Sequence, residues 1–209
     1  MNDTDTDIYW KPNNINNNIT KSNSIIDIDL DSENIQIHNI KNNKNKYNIH
    51  NDQSKLIIYE YINDILYAIN KYNTIILIGE TGSGKSTQLP QILYEYNWCG
   101  INKTNGEKTM LITQPRRLAA ITLANRVSIE MKSEIGTTVG YNVRFNHCSS
   151  ELTAIKYVTD GLLLREMQSD PLLLAYSVIM IDDSHERTLH SDILLGLLKK
   201  IQSKREILS

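Results

Sequence analysis

The chain is 209 residues long with 22 basic and 24 acidic side chains, so its net charge of −2 gives no global attraction to nucleic acid and any such binding has to come from local groups. Its 2 cysteines, Cys99 and Cys148, lie in a chain with no cleavable signal pattern; they argue for reduced thiols in an intracellular protein, and neither has metal-ligand spacing. The longest nearly apolar run, Leu172 to Ile181, is interrupted by Tyr176 and Ser177 and is too short to cross a bilayer, which excludes a membrane partner.

Asparagine divides the chain. Residues 1–51 hold 14 Asn against 9 in all that follows, which sets a boundary near residue 52 between a low-complexity tail and one domain, 52–209. The tail has no helical apolar pattern and reads as largely disordered, its Asn, Ile, Lys and Tyr matching AT-rich codons. Within it Ile26, Ile28 and Leu30 alternate with Asp27, Asp29 and Asp31, and Ile35 and Ile37 continue the pattern weakly; this is the period of a short acidic edge strand.

After the boundary, Ile58, Ile62, Ile65, Leu66 and Ile69 recur at helical spacing and predict a helix. An apolar, β-branched strand follows at 74–78 and runs into Gly79-Glu80-Thr81-Gly82-Ser83-Gly84-Lys85-Ser86-Thr87. This is a phosphate-binding loop: the glycines let successive N–H groups converge, and the helix that follows points its positive end the same way. Lys85 offers a point charge to the β and γ phosphates, and the Ser86 hydroxyl is placed to ligate magnesium, so the expected ligand is a magnesium nucleoside triphosphate. Pro90 falls beyond the first turn of the helix expected after the loop and predicts a local kink.

Strands are expected near 109–113, 138–144, 154–158 and 177–181, with helices near 116–132, 161–168 and 190–203 between them. This is the βα alternation of a mostly parallel sheet with helices on both faces, an α/β fold. The strand at 177–181 ends in Asp182-Asp183-Ser184-His185-Glu186-Arg187, which puts carboxylates at a strand's carboxyl end; Asp182 there can reach the magnesium held by Ser86.

Here the sequence resembles the DEAH-box helicases, whose second motif reads Asp-Glu-Ala-His followed by Glu-Arg, against DDSHER at 182–187. TQPRRLAA at 113–120 and TDGLLLRE at 159–166 are similar to two further motifs of that family, in the same order. Tyr9-Trp10-Lys11-Pro12 is similar to the aromatic-Trp-basic-Pro start of a spliceosome-associated member. The resemblance covers residues 55–208. It implies a RecA-like P-loop NTPase domain and an ATP-dependent RNA helicase that uses ATP and Mg2+, with pre-mRNA splicing as the setting, a spliceosomal or activator protein as partner, and a nuclear location. It also implies site roles. Lys85, Asp182 and Asp183 are the catalytic group, with Asp183 orienting the attacking water; Arg126 stacks on adenine; Arg116, Arg117, Thr159, Asp160 and Gly161 contact the backbone of single-stranded RNA; and His185 couples nucleotide to a second RecA-like domain.

Departures from the family's pattern qualify these expectations. Asp183 stands where the family has glutamate, one methylene shorter, and a shift of roughly an ångström can cost on the order of a hundredfold in rate. Ser184 stands where it has alanine. The sequence ends at Ser209, before the Ser-Ala-Thr motif and the second domain that brings the arginine fingers, so the chain is expected to be an amino-terminal part, weak or inactive alone. The alternative reading is an ATP- and RNA-binding module that no longer hydrolyses and acts by docking. A small-molecule kinase would leave TQPRRLAA and TDGLLLRE unexplained.

Overall fold

The computed structural model describes residues 5–10, 26–29, 56–99 and 108–208, with side chains described over 56–99 and 108–204. Among these residues eight strands form one sheet in the order β2-β3-β1-β8-β4-β7-β5-β6. The strands are β1 (Asp5–Trp10), β2 (Ile26–Asp29), β3 (Thr74–Gly79), β4 (Thr109–Gln114), β5 (Val139–Val143), β6 (Asn146–Cys148), β7 (Ile155–Thr159) and β8 (Tyr176–Ile181). The helices are α1 (Ile62–Lys71), α2 (Gln88–Glu95), α3 (Arg117–Glu130), α4 (Asp160–Glu166) and α5 (Leu189–Leu208). β4 pairs in parallel with β7 and β8, β7 with β5, and β2 with β3, while β1 runs antiparallel between β3 and β8 and β6 antiparallel along β5. This is the mostly parallel, RecA-like α/β domain that the motif order implies.

Side-chain alternation sorts the core into two layers. Met110 and Ile112 of β4, Ile155 and Tyr157 of β7, and Val178 and Met180 of β8 pack with α1, α2 and α3 on one face. On the other face Leu111, Val158, Ile179 and Ile181 pack with Leu163 of α4 and Leu194, Leu198 and Ile201 of α5. β4 is buried at every position because both faces are covered, which is why it reads as a continuous apolar run and not as an alternation.

The expected helices and strands of residues 56–208 are present, with informative differences. The helical periodicity from Ile58 is split: Ile57–Tyr59 forms a separate 3₁₀ turn, and α1 begins at Ile62. Ile58 is fully buried beneath the phosphate loop and its N–H donates to the Ser83 carbonyl at 3.3 Å, so this apolar position serves the loop and not the helix. Pro90, expected beyond the first turn of this helix, sits differently. α2 begins at Gln88, which puts Pro90 in the first turn, where a helix has no use for its N–H. β6 was not anticipated: the turn before it, Arg144–Phe145, lacks glycine, and Phe145 takes φ 67 itself. The acidic alternation does form an edge strand, β2, over its first four residues; Leu30, Asp31, Ile35 and Ile37, like Lys11 and Pro12, lie outside the described residues. β1, which contains Tyr9 and Trp10, had no apolar alternation strong enough to predict it.

The layering makes a stability prediction. Leu111 is fully buried in the α4–α5 layer, so Leu111→Ala should lower the unfolding free energy by about 2–5 kcal/mol in urea titrations, whereas Leu118→Ala, at a side chain 77% exposed, should change it by less than about 0.5 kcal/mol. Equal effects at the two positions would contradict the assigned core.

Candidate nucleotide and nucleic-acid site

The motif-bearing segments meet along one edge of the sheet. The phosphate loop leaves the carboxyl end of β3, Asp182–Asp183 that of β8, Arg116–Arg117 that of β4, and Asp160–Gly161 that of β7. Because β3, β8, β4 and β7 point the same way, all four segments emerge at the carboxyl edge, where open parallel sheets place their ligands. The strand order fixes their sequence across the edge, with the phosphate loop at one side and the TDG turn at the other.

The loop is shaped by its glycines and held by its own groups. Gly82 and Gly84 take φ of +86° and +102°, conformations that side chains rarely adopt. A Cβ on Gly84 would come within 2.9 Å of Ile58 Cγ2 and 3.0 Å of Gln88 Cγ, whereas one on Gly82 would meet nothing within 4 Å. The Gly84 carbonyl accepts the Gln88 N–H at 2.7 Å, so the loop runs directly into the first turn of α2. Lys85 is buried, and its ammonium donates to the carbonyls of Gly79 at 2.6 Å and Glu80 at 2.9 Å and to Ser83 Oγ at 3.3 Å. A charge kept that close to the loop backbone can be passed to phosphate oxygens by a small side-chain movement. Gly79, Ser83 and Gly84 are buried with Lys85, Ser86 and Thr87 are half-buried, and Glu80, Thr81 and Gly82 are exposed.

Asp182 is 1% exposed, and its carboxylate is met from two sides: Gln114 Nε2 donates to Oδ2, and the Asp183 N–H donates to Oδ1 at 3.1 Å. Asp183 takes φ 51 and ψ 33, the left-handed region that aspartate tolerates better than most residues. Ser184 is buried and His185 exposed in the 3₁₀ turn that follows.

Arg116 and Arg117 are exposed at the start of α3, and Arg116 donates to Glu186 Oε1 at 2.9 Å. With the Arg116 side chain 74% exposed, that ion pair is weak and leaves the guanidinium available to a phosphate. Thr159 precedes α4, Gly161 is exposed, and the Asp160 side chain is 2% exposed. Burial pushes the Asp160 carboxyl above its ordinary range, against the stabilising neighbours Thr113, His190 and Thr188. The Asp160 side chain is therefore not presented to a ligand, whereas Thr159 is half-buried. Arg126 lies on α3 with its side chain 65% exposed, its Nε donating to Glu130 Oε1 at 2.9 Å.

Several residues that support this edge carried no assignment from sequence. Gln114 lies inside the TQPRRLAA motif, yet nothing in the motif's spacing says that its amide faces Asp182. Tyr157 is fully buried in the α1–α3 layer while its hydroxyl donates to the Ser86 carbonyl at 2.8 Å; burial first, then the nearby Asp182 and Glu130 charges, holds its pKa well above the ordinary phenol value. Its position in an apolar strand gave no sign of this. Glu130 had a signal, since it stands four residues after Arg126 on one helix.

As donors, the Ser86 hydroxyl and the Asp182 carboxylate are both oxygen groups and fit a hard divalent cation such as Mg2+, which takes most of its remaining ligands from water and phosphate. Among the described residues no cluster of three His, Cys, Asp or Glu forms a metal cage, and no helix is long and apolar enough to cross a membrane.

No protein-family model matches the chain. Individual relatives do. A human protein named probable ATP-dependent RNA helicase DHX35 is 51% identical over 158 residues, 75% of this chain and 22% of its own length. A Schizosaccharomyces pombe protein named putative pre-mRNA-splicing factor ATP-dependent RNA helicase C20H4.09 is 49% identical over 156 residues, 74% of this chain and 23% of its own. An Arabidopsis thaliana protein named pre-mRNA-splicing factor ATP-dependent RNA helicase DEAH10 is 52% identical over 137 residues, 66% of this chain and 18% of its own. The chain thus spans about a fifth of the length of the curated relatives it matches. Identity near one half, sustained over so much of the chain and joined to the motif-bearing sheet edge, is not a chance likeness: over this span the chain is similar to a part of proteins named as ATP-dependent RNA helicases and DEAH-box splicing factors.

Proposed function

We propose that this chain carries the ATP-binding part of an ATP-dependent RNA helicase that works on RNA in pre-mRNA splicing, in the nucleus and beside a spliceosomal or activator protein. The observation that carries the reading is the convergence of phosphate loop, carboxylates, arginines and TDG turn on one carboxyl edge, in strand order. The names of the relatives, which are helicases and splicing factors, support the setting.

In this reading the backbone of Gly79–Thr87 wraps the phosphates and Lys85 exchanges its bonds to Gly79 and Glu80 for bonds to phosphate oxygens. Ser86 and Asp182 hold Mg2+, which neutralises phosphate charge; Gln114 keeps the Asp182 carboxylate in place from behind. Asp183 orients the attacking water, with its position set by the left-handed turn. Arg126 stacks on the adenine. Arg116, Arg117 and the backbone of Thr159, Asp160 and Gly161 take RNA phosphates, reading backbone and not bases, and the exposed His185 faces the second domain that such helicases close over the nucleotide.

Three measurements test this. Removing the ammonium in Lys85→Ala should weaken binding of a fluorescent ATP analogue in Mg2+ at least tenfold, since a charge-assisted hydrogen bond to phosphate is worth roughly 1.5–3 kcal/mol; unchanged affinity would remove the loop from nucleotide binding. The glycines should separate: Gly84→Ala, which meets Ile58 and Gln88, should reduce nucleotide affinity and stability more than Gly82→Ala, which meets nothing. For RNA, replacing Arg116 and Arg117 together by alanine should weaken binding similarly for unrelated single strands and lower the slope of log affinity against log salt by about 1 to 2. A slope that does not move would take both arginines out of the interface.

A further inference from the structure

α2 and α3 are joined by a polar cluster that neither the phosphate loop nor the carboxylates explain. Its centre is Glu130, the last residue of α3, whose side chain is 12% exposed. Two amides of α2 share its Oε2, Gln88 Nε2 at 2.9 Å and Gln91 Nε2 at 2.6 Å, and its Oε1 receives Arg126 Nε at 2.9 Å. Gln88 is itself fixed, because its Oε1 accepts the Tyr59 hydroxyl at 2.8 Å and its Nε2 also lies 3.2 Å from Thr87 Oγ1. Gln91 donates in turn to the Thr87 carbonyl at 2.9 Å.

The charge state agrees with the geometry. Burial alone would raise the Glu130 carboxyl, but hydrogen bonds from Gln91, Arg126 and Gln88 overcome it and leave the group below its ordinary value, so Glu130 is a carboxylate at neutral pH. Tyr59, pushed up to about 12 by burial and by the Glu95 and Glu130 charges, keeps its proton to give to Gln88. Every donor and acceptor in the cluster is thereby assigned a direction, and its outer end is a guanidinium whose Nε is anchored while most of its side chain stands in solvent.

We infer that Glu130 is the positioning residue for nucleotide-base recognition: by pinning Arg126 Nε to Gln88 and Gln91 of the helix that continues the phosphate loop, it sets the guanidinium plane against which a base attached to the bound triphosphate stacks. This rests on the proposed nucleotide site and on the stacking role of Arg126. An exposed arginine alone loses rotamer freedom when a base lands on it; one already held by a carboxylate loses less, and that difference appears as affinity. Because the other oxygen of Glu130 is tied one residue from Thr87, base platform and phosphate loop move as one body.

The test separates base from phosphates. Isothermal titration of the full chain with Mg·ATP and with Mg·tripolyphosphate, which carries the charge without the base, is compared for wild type, Glu130→Gln, Arg126→Ala and the double variant. The expected result is that Glu130→Gln weakens ATP about threefold to tenfold and leaves tripolyphosphate unchanged, that Arg126→Ala does the same, and that the double variant is no weaker than Arg126→Ala. Unaltered tripolyphosphate binding also reports that each variant is folded. Equal weakening of both ligands by Glu130→Gln would overturn the inference in favour of a simple α2–α3 brace, as would additive losses in the double variant. Normal ATP affinity in Glu130→Gln beside weakened affinity in Arg126→Ala would overturn it while sparing the stacking role. Normal affinity in Arg126→Ala would remove the stacking role and Glu130 with it, and a wild-type chain that binds neither ligand would overturn the phosphate site itself.

Discussion

A carboxylate taken out of water has to be met by donors, and at Asp182 that requirement organises the carboxyl edge. Desolvating an ionised carboxyl costs several kcal/mol unless hydrogen bonds offset it. Gln114 at the end of β4 and the N–H of Asp183 provide them, so the ends of β4 and β8 are tied together, and the chain enters a left-handed turn directly after, at Asp183. The conformation of Asp183, the burial of Ser184 and the emergence of His185 and Glu186 toward solvent follow from that turn. Glu186 then lies where Arg116 can reach it, so the carboxylate segment touches the arginine segment through the same constraint.

Much of this was legible in the sequence because it depends on local patterns. The buried strands are apolar runs bounded by the motifs they deliver, and the phosphate loop is a spacing of glycines, a lysine and a hydroxyl that few other structures need. What stayed hidden depends on contacts between distant segments. Tyr157 looks like any aromatic in a β-strand until its hydroxyl is found on Ser86, some 70 residues away. Ile58 continues a helical period but is drawn under the loop. Pro90 misled because the helix register, and not the residue, decides whether a proline is tolerated. Phe145 hid a hairpin, since a bulky residue at positive φ is the least expected way to turn.

The departure from the family at Asp183 also looks different in three dimensions. Read along the chain, it is a shortened acid. In the fold it occupies a left-handed backbone position, where aspartate is less strained than glutamate, so the shorter side chain loses reach and gains conformational ease at one site. Which effect governs the position of the carboxylate is a question of backbone as well as of side-chain length.

β1 separates the two strands that carry the triphosphate chemistry. β3 and β8 do not pair; each pairs with β1, so they stand two strand spacings apart, roughly 10 Å. Ile8 pairs with Ile181, and closing that contact joins points roughly 170 residues apart along the chain, among the most expensive loop closures available to it. β1 is nonetheless hydrogen-bonded along both of its edges and stands in the interior of the sheet. Its departure would not trim an outer margin. It would open a seam through the middle of the sheet, with the unpaired edges of β3 and β8 facing each other, and any other strand of suitable length could seal it.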